Sequence, residues 1–310
     1  MALKSVVLLA ASGNLGALTI PTFVRSNLKV TAVVRATSEA TFPEAITVVK
    51  TDFTIESLKK VFKDKDAVIS FLPIVSLAEQ SVAIEAAIAV GVKRFIPSEY
   101  GSDSTNSAVV AAVPFFESKK QYLDYLKTRE DVITWTALVT GPLFDWGLPL
   151  GTWGFDLANR KAQLIDGGKT RFTASNGEQV GRALVAILGN PVLTANNLVS
   201  IESFNTTQLE VLDALEKATG STWERVEVPV EAIRAEALKL LSEGDIINGG
   251  SKLIGALVFG KEGLEDHTHL GTAQWHKDWV FLWKTLMRLF NECLAVENRR
   301  FIDLGKPASI

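Results

Sequence analysis

The chain has 310 residues, of which 47% are hydrophobic and 22% are charged, and its formal net charge is −3. This balance is typical of a globular protein of one or two domains and excludes a disordered chain. The sequence has no long run of lysine and arginine and no apolar stretch approaching about 20 residues, so it predicts neither a nucleic-acid partner nor a membrane span.

The cysteine content and the first residues bear on the compartment. A single cysteine, Cys293, excludes an internal disulfide framework and any CxxC metal site. The apolar run near the start is interrupted by Ser12, Gly13 and Asn14, which makes it too short for a signal peptide. We therefore expect a cytoplasmic protein.

Strands and helices alternate through the first half of the chain. SVVLLA (5–10) is a continuous apolar run rich in β-branched residues, which predicts a strand buried on both faces of a parallel sheet. The remaining elements predicted in this half are strands at 29–35, 46–52, 66–73, 93–101 and 132–142, and helices at 17–26, 55–64 and 76–92. The alternation predicts an α/β fold, with a Rossmann-type doubly wound parallel sheet in a first domain over residues 1–150.

The second half is less regular. Residues 151–173 are glycine-rich and aromatic, which favours loops and short strands over helix. Helices are predicted at 178–188, 206–220 and 272–290, and a strand that runs into a helix at 223–233. We expect residues 151–310 to form a smaller substrate-binding α+β domain, with part of 174–204 returning to the first sheet.

AASGNLG (10–16) lies between the first predicted strand and helix. Gly13 and Gly16 match two glycines of the dinucleotide-binding fingerprint, and Ala10 stands in place of the first. In that turn a glycine lets the backbone approach a pyrophosphate, whose charge meets the amides at the helix N-terminus. The predicted cofactor contacts are Ser12, Gly13, Asn14, Leu15 and Gly16, and alanine at position 10 requires a negative φ. The alternative is an ordinary strand–helix turn.

Arg35 ends the second predicted strand, where an acidic residue would favour NAD. A guanidinium suits a 2′-phosphate through charge-assisted, bidentate hydrogen bonds. The sequence therefore predicts NADP(H) as the cofactor, against the alternative of a solvated arginine at a strand end.

Two further loops follow strands at the edge where ligands bind in such sheets. Leu72, Pro73 and Ile74 come after the fourth strand and are predicted cofactor contacts. Pro142 and Leu143 come after the sixth strand and are predicted to flank the nicotinamide. Both segments are equally compatible with ordinary loops.

PFFESKK (114–120) places Lys119 one helical turn after Phe115. Many nicotinamide-dependent reductases have tyrosine four residues before such a lysine, and phenylalanine cannot exchange a proton. A lysine beside the nicotinamide can orient the cofactor, and it can give or take a proton if burial and a neighbouring positive charge lower its pKa. The alternative is an ordinary surface lysine, with Lys120 as the candidate if the register shifts by one.

Several stretches together resemble the isoflavone-reductase-like branch of the NmrA-like, atypical short-chain dehydrogenases. They are AASGNLG, the AVVR strand end, GVKRFIPSEYG (91–101), FESKK (116–120) and VTGPLFDW (139–146). The resemblance extends over most of the chain, is strongest in residues 5–146, and its FDW extension is similar to fungal-type members. It implies that Lys119 is the catalytic group and that the tyrosine is absent, so Phe115 indicates a different proton relay and not an inactive site.

Aromatic residues near the predicted site indicate an apolar or aromatic substrate. The predicted substrate contacts are Phe115, Phe144, Trp146 and Trp153, with core packing as the alternative for the two tryptophans. The tryptophans of the predicted helix 272–290 favour core packing or a subunit contact. His267, His269 and His276 do not make a convincing metal site, and none is predicted.

The sequence therefore predicts an NADPH-dependent reductase that acts on a small, apolar or aromatic natural product at a C=C, C=O or C=N bond. Reduction coupled to cyclisation or isomerisation in secondary metabolism fits the same residues. The alternative function is an NADP(H)-binding redox sensor without turnover, since NmrA-like proteins, which this sequence resembles, also include such sensors. We expect a monomer or a homodimer.

Overall fold

The computed structural model describes residues 1–271, and the predicted helix 272–290, His276 and Cys293 lie outside them. The strands are β1 (Ser5–Leu9), β2 (Lys29–Arg35), β3 (Thr47–Thr51), β4 (Ala67–Ser70), β5 (Arg94–Ile96), β6 (Thr134–Val139), β7 (Phe155–Asp156), β8 (Lys161–Ile165), β9 (Phe172–Ala174), β10 (Asn197–Ser200), β11 (Phe204–Thr206) and β12 (Glu224–Val228). The α-helices are α1 (Asn14–Val24), α2 (Ile55–Phe62), α3 (Glu79–Ala89), α4 (Ser107–Ala112), α5 (Glu117–Lys127), α6 (Phe144–Gly147), α7 (Gly177–Gly189), α8 (Gln208–Thr219), α9 (Val230–Ser242) and α10 (Ile246–Phe259).

The largest sheet within residues 1–271 has seven strands in the order β10–β6–β5–β4–β1–β2–β3. Every neighbouring pair in it is parallel. Its central strands are buried on both faces, which explains why their sequences are continuous apolar runs and do not alternate. The predicted α/β fold with a Rossmann-type, doubly wound parallel sheet is confirmed.

The chain divides into two compact units. The first contains Met1–Gly141 and Ser175–Glu202, and β10 of the latter segment pairs with β6. The second contains Pro142–Ala174 and Ser203–Asp266. It has a three-stranded sheet, β12–β8–β7, a two-stranded sheet, β11–β9, and the helices α6, α8, α9 and α10. Among residues 1–271, no helix combines the length and apolar character needed to cross a membrane.

Aromatic rings form the core of the second unit. Phe144 lies edge-to-face against Trp153, at a centroid distance of 5.2 Å, and against Phe204, at 5.1 Å. Trp153 in turn packs edge-to-face on Phe172 at 5.2 Å. The buried amide of Gln208 ties this core to β8, since it accepts a hydrogen bond from the Ile165 N–H and donates one to the Trp153 carbonyl. The unit therefore has a core of its own.

Several predicted boundaries are wrong by a few residues. The fifth strand ends at Ile96 and not at residue 101, because Pro97 has no N–H and the Ser98 N–H donates to the Gln80 side chain. The helix predicted from residue 76 begins at Glu79. The helix predicted at 206–220 begins at Gln208 and is capped by Thr207, through a reciprocal capping box with Glu210.

Arg94 on β5 links three parts of the first unit. Its side chain is buried, and burial lowers its pKa to about 10. The guanidinium donates to five oxygen atoms, which are Thr134 Oγ1 (2.8 Å), Thr136 Oγ1 (2.6 Å), Thr194 Oγ1 (3.0 Å), the Thr194 carbonyl (3.3 Å) and the Pro191 carbonyl (2.6 Å). It therefore joins β5 to β6 and to the segment that precedes β10.

We expect Arg94→Met to reduce the free energy of unfolding by about 2–4 kcal/mol, because it leaves several buried oxygen atoms without a donor. Urea denaturation followed by circular dichroism measures the change. Arg25→Met is the matched control, since the Arg25 side chain is 61% exposed and its ion pair with Glu178 is long, at 3.6 Å. Equal stability of the two variants would contradict the role assigned to Arg94.

Candidate active site

The turn between β1 and α1 is built to receive an anion. Ser12, Gly13 and Asn14 are exposed, and Gly13 caps α1 with an extended backbone and no side-chain hydrogen bond. The first amides of a helix have no intrahelical acceptor, and the N-terminal end carries a partial positive charge. The first turn of α1 contains no acidic residue that would compete. These features fit the pyrophosphate of a dinucleotide.

Ala10 differs from the sequence-based expectation. Its φ is +58°, so the expected negative φ is wrong. The Ala10 N–H donates to the Val33 carbonyl, while its own carbonyl accepts from the Gly13 N–H, and these two bonds determine the left-handed turn. Left-handed backbone costs a non-glycine residue about 1–2 kcal/mol. The turn therefore keeps the shape of the glycine fingerprint under strain.

Arg35 leaves the carboxyl end of β2 and meets the residues before and at the start of α3. Its Nη2 atom donates to Ser76 Oγ at 2.9 Å and to Glu79 Oε1 at 2.8 Å. The arginine side chain is 58% exposed, so the ion pair is weak and the guanidinium remains accessible to a ligand. Arg35 is thus positioned as a phosphate-binding group that already has one acidic neighbour.

The loops after β4 and β5 are joined to each other. Ser98 Oγ donates to the Leu72 carbonyl at 2.7 Å, and the Ser98 N–H donates to Gln80 Oε1 at 2.8 Å. Leu72 is buried, whereas Pro73 and Ile74 are exposed. The predicted contacts of this loop are therefore fixed at the carboxyl edge of the sheet, with Pro73 and Ile74 open to a ligand.

Lys119 lies in the first turn of α5 and reaches the same edge of the sheet. Its Nζ atom donates to the Glu99 carbonyl at 2.7 Å, in the loop that follows β5. The ammonium group also lies 5.2 Å from the centroid of the Phe116 ring, within the range of a cation–π interaction. The residue is half-buried, and Phe115 beside it is half-buried too. Lys119 is therefore oriented by backbone and ring contacts and is not a freely moving surface lysine.

Glu99, whose carbonyl binds Lys119, also carries a buried carboxyl group. The residue is 1% exposed, and Oε2 accepts a hydrogen bond of 2.6 Å from Ser104 Oγ. Burial raises the pKa of the Glu99 carboxyl, and the positive charge of Lys119 and the Ser104 hydrogen bond oppose that shift.

Tyr100 does not replace the tyrosine that position 115 lacks. Its hydroxyl is enclosed and has no hydrogen-bond partner among the described residues, and its ring packs on Phe71 at a centroid distance of 5.5 Å. Burial, followed by the Glu99 carboxylate, raises the pKa of this hydroxyl well above its usual value. An enclosed phenol that stays protonated is not able to relay protons to a ligand.

The predicted substrate contacts fall into two groups. Phe144 and Trp153 are packed in the aromatic core of the second unit, which for Trp153 matches the core-packing alternative. Trp146 is 39% exposed, and Phe115 is half-buried in the first unit. Pro142 and Leu143 directly follow Gly141 in the chain and are both half-buried. Trp146 and Phe115 are thus the aromatic candidates that a ligand is able to touch.

Within residues 1–271, no group of three or more acidic, histidine or cysteine side chains is arranged to hold a metal ion. His267 and His269 lie in a 3₁₀ turn, His267–Leu270. The site described above therefore consists of backbone amides, one arginine, one lysine and their acidic neighbours.

The comparison with known sequence families agrees with this arrangement. The sequence profile of the NmrA-like family matches residues 3–247. The chain belongs to the NmrA-like family. An oxidoreductase of Aspergillus flavus, aprR, is 34% identical to this NmrA-like protein over 247 residues, which are 78% of this chain and 83% of the relative. The phenylcoumaran benzylic ether reductase Betv6 of Betula pendula is 33% identical over 189 residues, 57% of this chain and 59% of that protein. The resemblance to isoflavone-reductase-like proteins is confirmed.

Solved structures show the same fold. The leucoanthocyanidin reductase–NADPH complex of Vitis vinifera superposes with a TM-score of 0.75 at 18% identity, over 94% of this chain and 100% of that one. An isoflavone reductase gives a TM-score of 0.72 at 21% identity, over 93% and 99% of the two chains. At these identities the likeness of the NmrA-like protein to them concerns the fold.

Sequence reasoning missed the acidic side of this NmrA-like site. Glu99 belongs to the motif GVKRFIPSEYG but was not predicted as a site residue, and neither were Glu79 and Ser104. The available signal was an acidic residue placed directly after a buried strand, at the edge where ligands bind. Glu79 had no such signal, since it lies 44 residues from Arg35 along the chain.

Proposed function

We propose that this protein is an NADPH-dependent reductase of a small, apolar or aromatic natural product, with Lys119 as its catalytic residue. The observation that carries the proposal is the Lys119 ammonium, fixed on the Glu99 carbonyl at 2.7 Å after β5, in the unit whose β1–α1 turn is open to an anion. Reductase chemistry at such a fold needs a bound dinucleotide and a proton carrier at one edge of the sheet. The first unit contains residues suited to both tasks, the β1–α1 turn for the dinucleotide and Lys119 for the proton.

The residues that would bind the cofactor fit their tasks. The exposed turn Ser12–Asn14 and the amides of Leu15 and Gly16 would bind the pyrophosphate, and Arg35 would bind the 2′-phosphate. Pro73, Ile74, Pro142 and Leu143 follow strand ends and would contact the nicotinamide half. When bound, the cofactor supplies a hydride from C4 of its nicotinamide. Solved structures of similar fold in complex with NADPH and with NADP⁺ support this assignment.

Lys119 would supply the proton. Its ammonium has three N–H groups, one of which donates to the Glu99 carbonyl, and in the bound complex it would donate to the cofactor ribose and to the substrate. In the reduction of a C=O bond, the carbon accepts the hydride and the oxygen accepts a proton from Nζ, which leaves a neutral amine that solvent reprotonates. C=C and C=N bonds have the same balance, with carbon or nitrogen as the proton acceptor.

An aromatic substrate is supported by two observations. Phe115 and Trp146 are exposed enough to contact a ligand. The relatives include a phenylcoumaran benzylic ether reductase, and a solved neighbour is described with NADP⁺ and (+)pinoresinol. Two fungal relatives, from Aspergillus flavus and Penicillium oxalicum, are oxidoreductases, which supports a redox reaction. Reduction coupled to cyclisation or isomerisation would use the same two groups, a hydride donor and Lys119.

The experiment that tests this proposal separates turnover from binding. NADPH binding is measured by fluorescence, and NADPH oxidation is then followed with a panel of aryl C=C, C=O and C=N compounds, with product analysis by mass spectrometry. We expect binding and the oxidation of NADPH by at least one compound, with one equivalent of reduced product. Tight binding without oxidation by any of the panel would favour the sensor alternative.

Cofactor selectivity gives a second test. We expect Arg35→Ala to raise the Kd for NADPH by about 10- to 100-fold, because a charge-assisted contact to the 2′-phosphate is lost. The Kd for NADH should stay within about threefold, since NADH has no phosphate at that position. Fluorescence titration with both cofactors measures the two values. Arg25→Ala, at an exposed arginine just beyond α1, is the control. Equal loss of both cofactors would remove the assignment.

A further inference from the structure

We propose that Glu99 is a positioning residue for Lys119, and that its buried carboxylate is the counterion that keeps the lysine in its proton-donating ammonium form. Glu99 meets Lys119 in two ways, since its backbone carbonyl accepts the Nζ–H at 2.7 Å and its carboxyl group interacts with the lysine charge. One residue therefore sets both the position and the charge state of the ammonium. The inference rests on the proposed function only for the catalytic role of the Lys119 ammonium.

The Glu99 carboxyl is fixed and shielded. Ser104 Oγ donates to Oε2 at 2.6 Å, and the whole residue is 1% exposed. Among the described residues, Oε1 is enclosed and accepts no hydrogen bond. A nearby positive charge stabilises a buried carboxylate that has one hydrogen bond, because burial without compensation is costly.

The charged groups around Glu99 leave Lys119 as its main counterion. On α5, Lys119 and Lys127 both act on the carboxyl, and Lys127 is already paired with Asp124 at 2.9 Å. On the loop of Glu99 itself, Asp103 disfavours ionisation, although its Oδ1 is engaged by the N–H and Oγ1 of Thr105.

Lys119 and the adjacent Lys120 have different acidic partners. Lys120, the next residue of α5, is bound to Asp124 and lies close to the Glu117 charge, so it has a counterion of its own. Tyr100, the residue after Glu99, adds no charge, since burial raises the pKa of its enclosed hydroxyl. An ammonium held beside a carboxylate releases its proton less readily. Lys119 is therefore suited to act as a general acid in the direction of reduction, and not as a base.

The experiment measures the charge state of Lys119 directly, in the full-length protein without cofactor or substrate. Trace acetylation with isotopically labelled acetic anhydride, over a series of pH values, reports the fraction of each lysine that is a neutral amine, and tandem mass spectrometry separates Lys119 from Lys120. The variant is Glu99→Gln, which retains the backbone carbonyl and the shape of the side chain but removes the charge. Lys120 is the internal reference, since its partner Asp124 is unchanged.

We expect the midpoint pH of Lys119 acetylation to fall by about one unit or more in Glu99→Gln, the usual effect of losing an opposite charge at close range. Lys120 should keep its midpoint, and Glu99→Asp should restore most of the Lys119 shift. An unchanged Lys119 midpoint, or a parallel shift of both lysines, would overturn the proposal.

Ser104→Ala keeps the proposal testable if Glu99→Gln does not fold. This change removes the hydrogen bond to Oε2 and disfavours the ionised carboxyl, so the Lys119 midpoint should fall by a smaller amount in the same direction. No shift in a Ser104→Ala protein with an unchanged melting curve would overturn the proposal as well. Since this measurement needs no turnover, a protein that fails to reduce any compound would contradict the proposed function and leave the Glu99–Lys119 pairing intact.

Discussion

Replacing Lys119 with alanine is expected to lower kcat by about 10²- to 10⁴-fold, the usual contribution of a positioned proton donor. The reason is geometric as well as chemical, because the Nζ atom is bound to the Glu99 carbonyl and lies near the Phe116 ring, so no other described lysine takes its place. NADPH should still bind, with a Kd within about tenfold of the wild-type value, since only one of many cofactor contacts is lost. Steady-state kinetics with a compound from the substrate panel, and fluorescence titration with NADPH, measure the two effects.

Two further variants separate charge from proton transfer. Lys119→Arg keeps the positive charge, but a guanidinium does not release a proton. Its kcat should therefore remain low while NADPH binding is retained. Lys120→Ala removes the next lysine of α5, which is paired with Asp124, and should leave kcat near the wild-type value. A Lys119→Ala protein that turns over within tenfold of wild type, or a Lys120→Ala protein that loses activity, would contradict the assignment of the catalytic residue.

Most of the central sheet was predictable because its strands are short and apolar and most of them are followed by a helix, although no helix separates β2 from β3. Strands such as β1 and β4 are buried on both faces and therefore read as continuous runs in the sequence. Local chemistry also predicted the glycine turn and the register that places Lys119 one turn after Phe115. These features depend on residues close together in the chain, which is the range over which sequence patterns are informative.

The parts that sequence reasoning missed depend on residues far apart in the chain. The fifth strand ends early because the Gln80 side chain, 18 residues away, takes the Ser98 N–H. Ala10 adopts a positive φ because of a bond to Val33, on a neighbouring strand. Glu99 is a site residue because packing buries it beside Lys119, and no local pattern distinguishes such an acid from a solvated one. Tertiary burial, and not composition, decides each of these cases.

Replacing each of the two glycines of the turn with alanine should have different effects on stability and on NADPH binding. A Cβ atom on Gly16 would lie 2.1 Å from the Ala11 carbonyl oxygen and 2.6 Å from its carbonyl carbon, and both are backbone atoms that cannot rotate away. Gly16→Ala must therefore push α1 away from the turn, at a cost of about 3 kcal/mol or more in the free energy of unfolding. NADPH binding should be lost with it, because the helix N-terminus moves.

Gly13→Ala is the matched control, since its new Cβ would meet nothing closer than the Ala10 carbonyl oxygen at 3.6 Å, an ordinary contact, and its φ of −78° suits alanine. Its stability should change by less than about 1 kcal/mol, but NADPH affinity should fall by about tenfold or more, because a methyl group faces the exposed space where a pyrophosphate would approach the amides. Urea denaturation and NADPH titration of both variants measure the contrast. If Gly13→Ala binds NADPH as tightly as wild type, the phosphate does not lie on this turn, whereas equal stability of the two variants would show that α1 is not packed against Ala11.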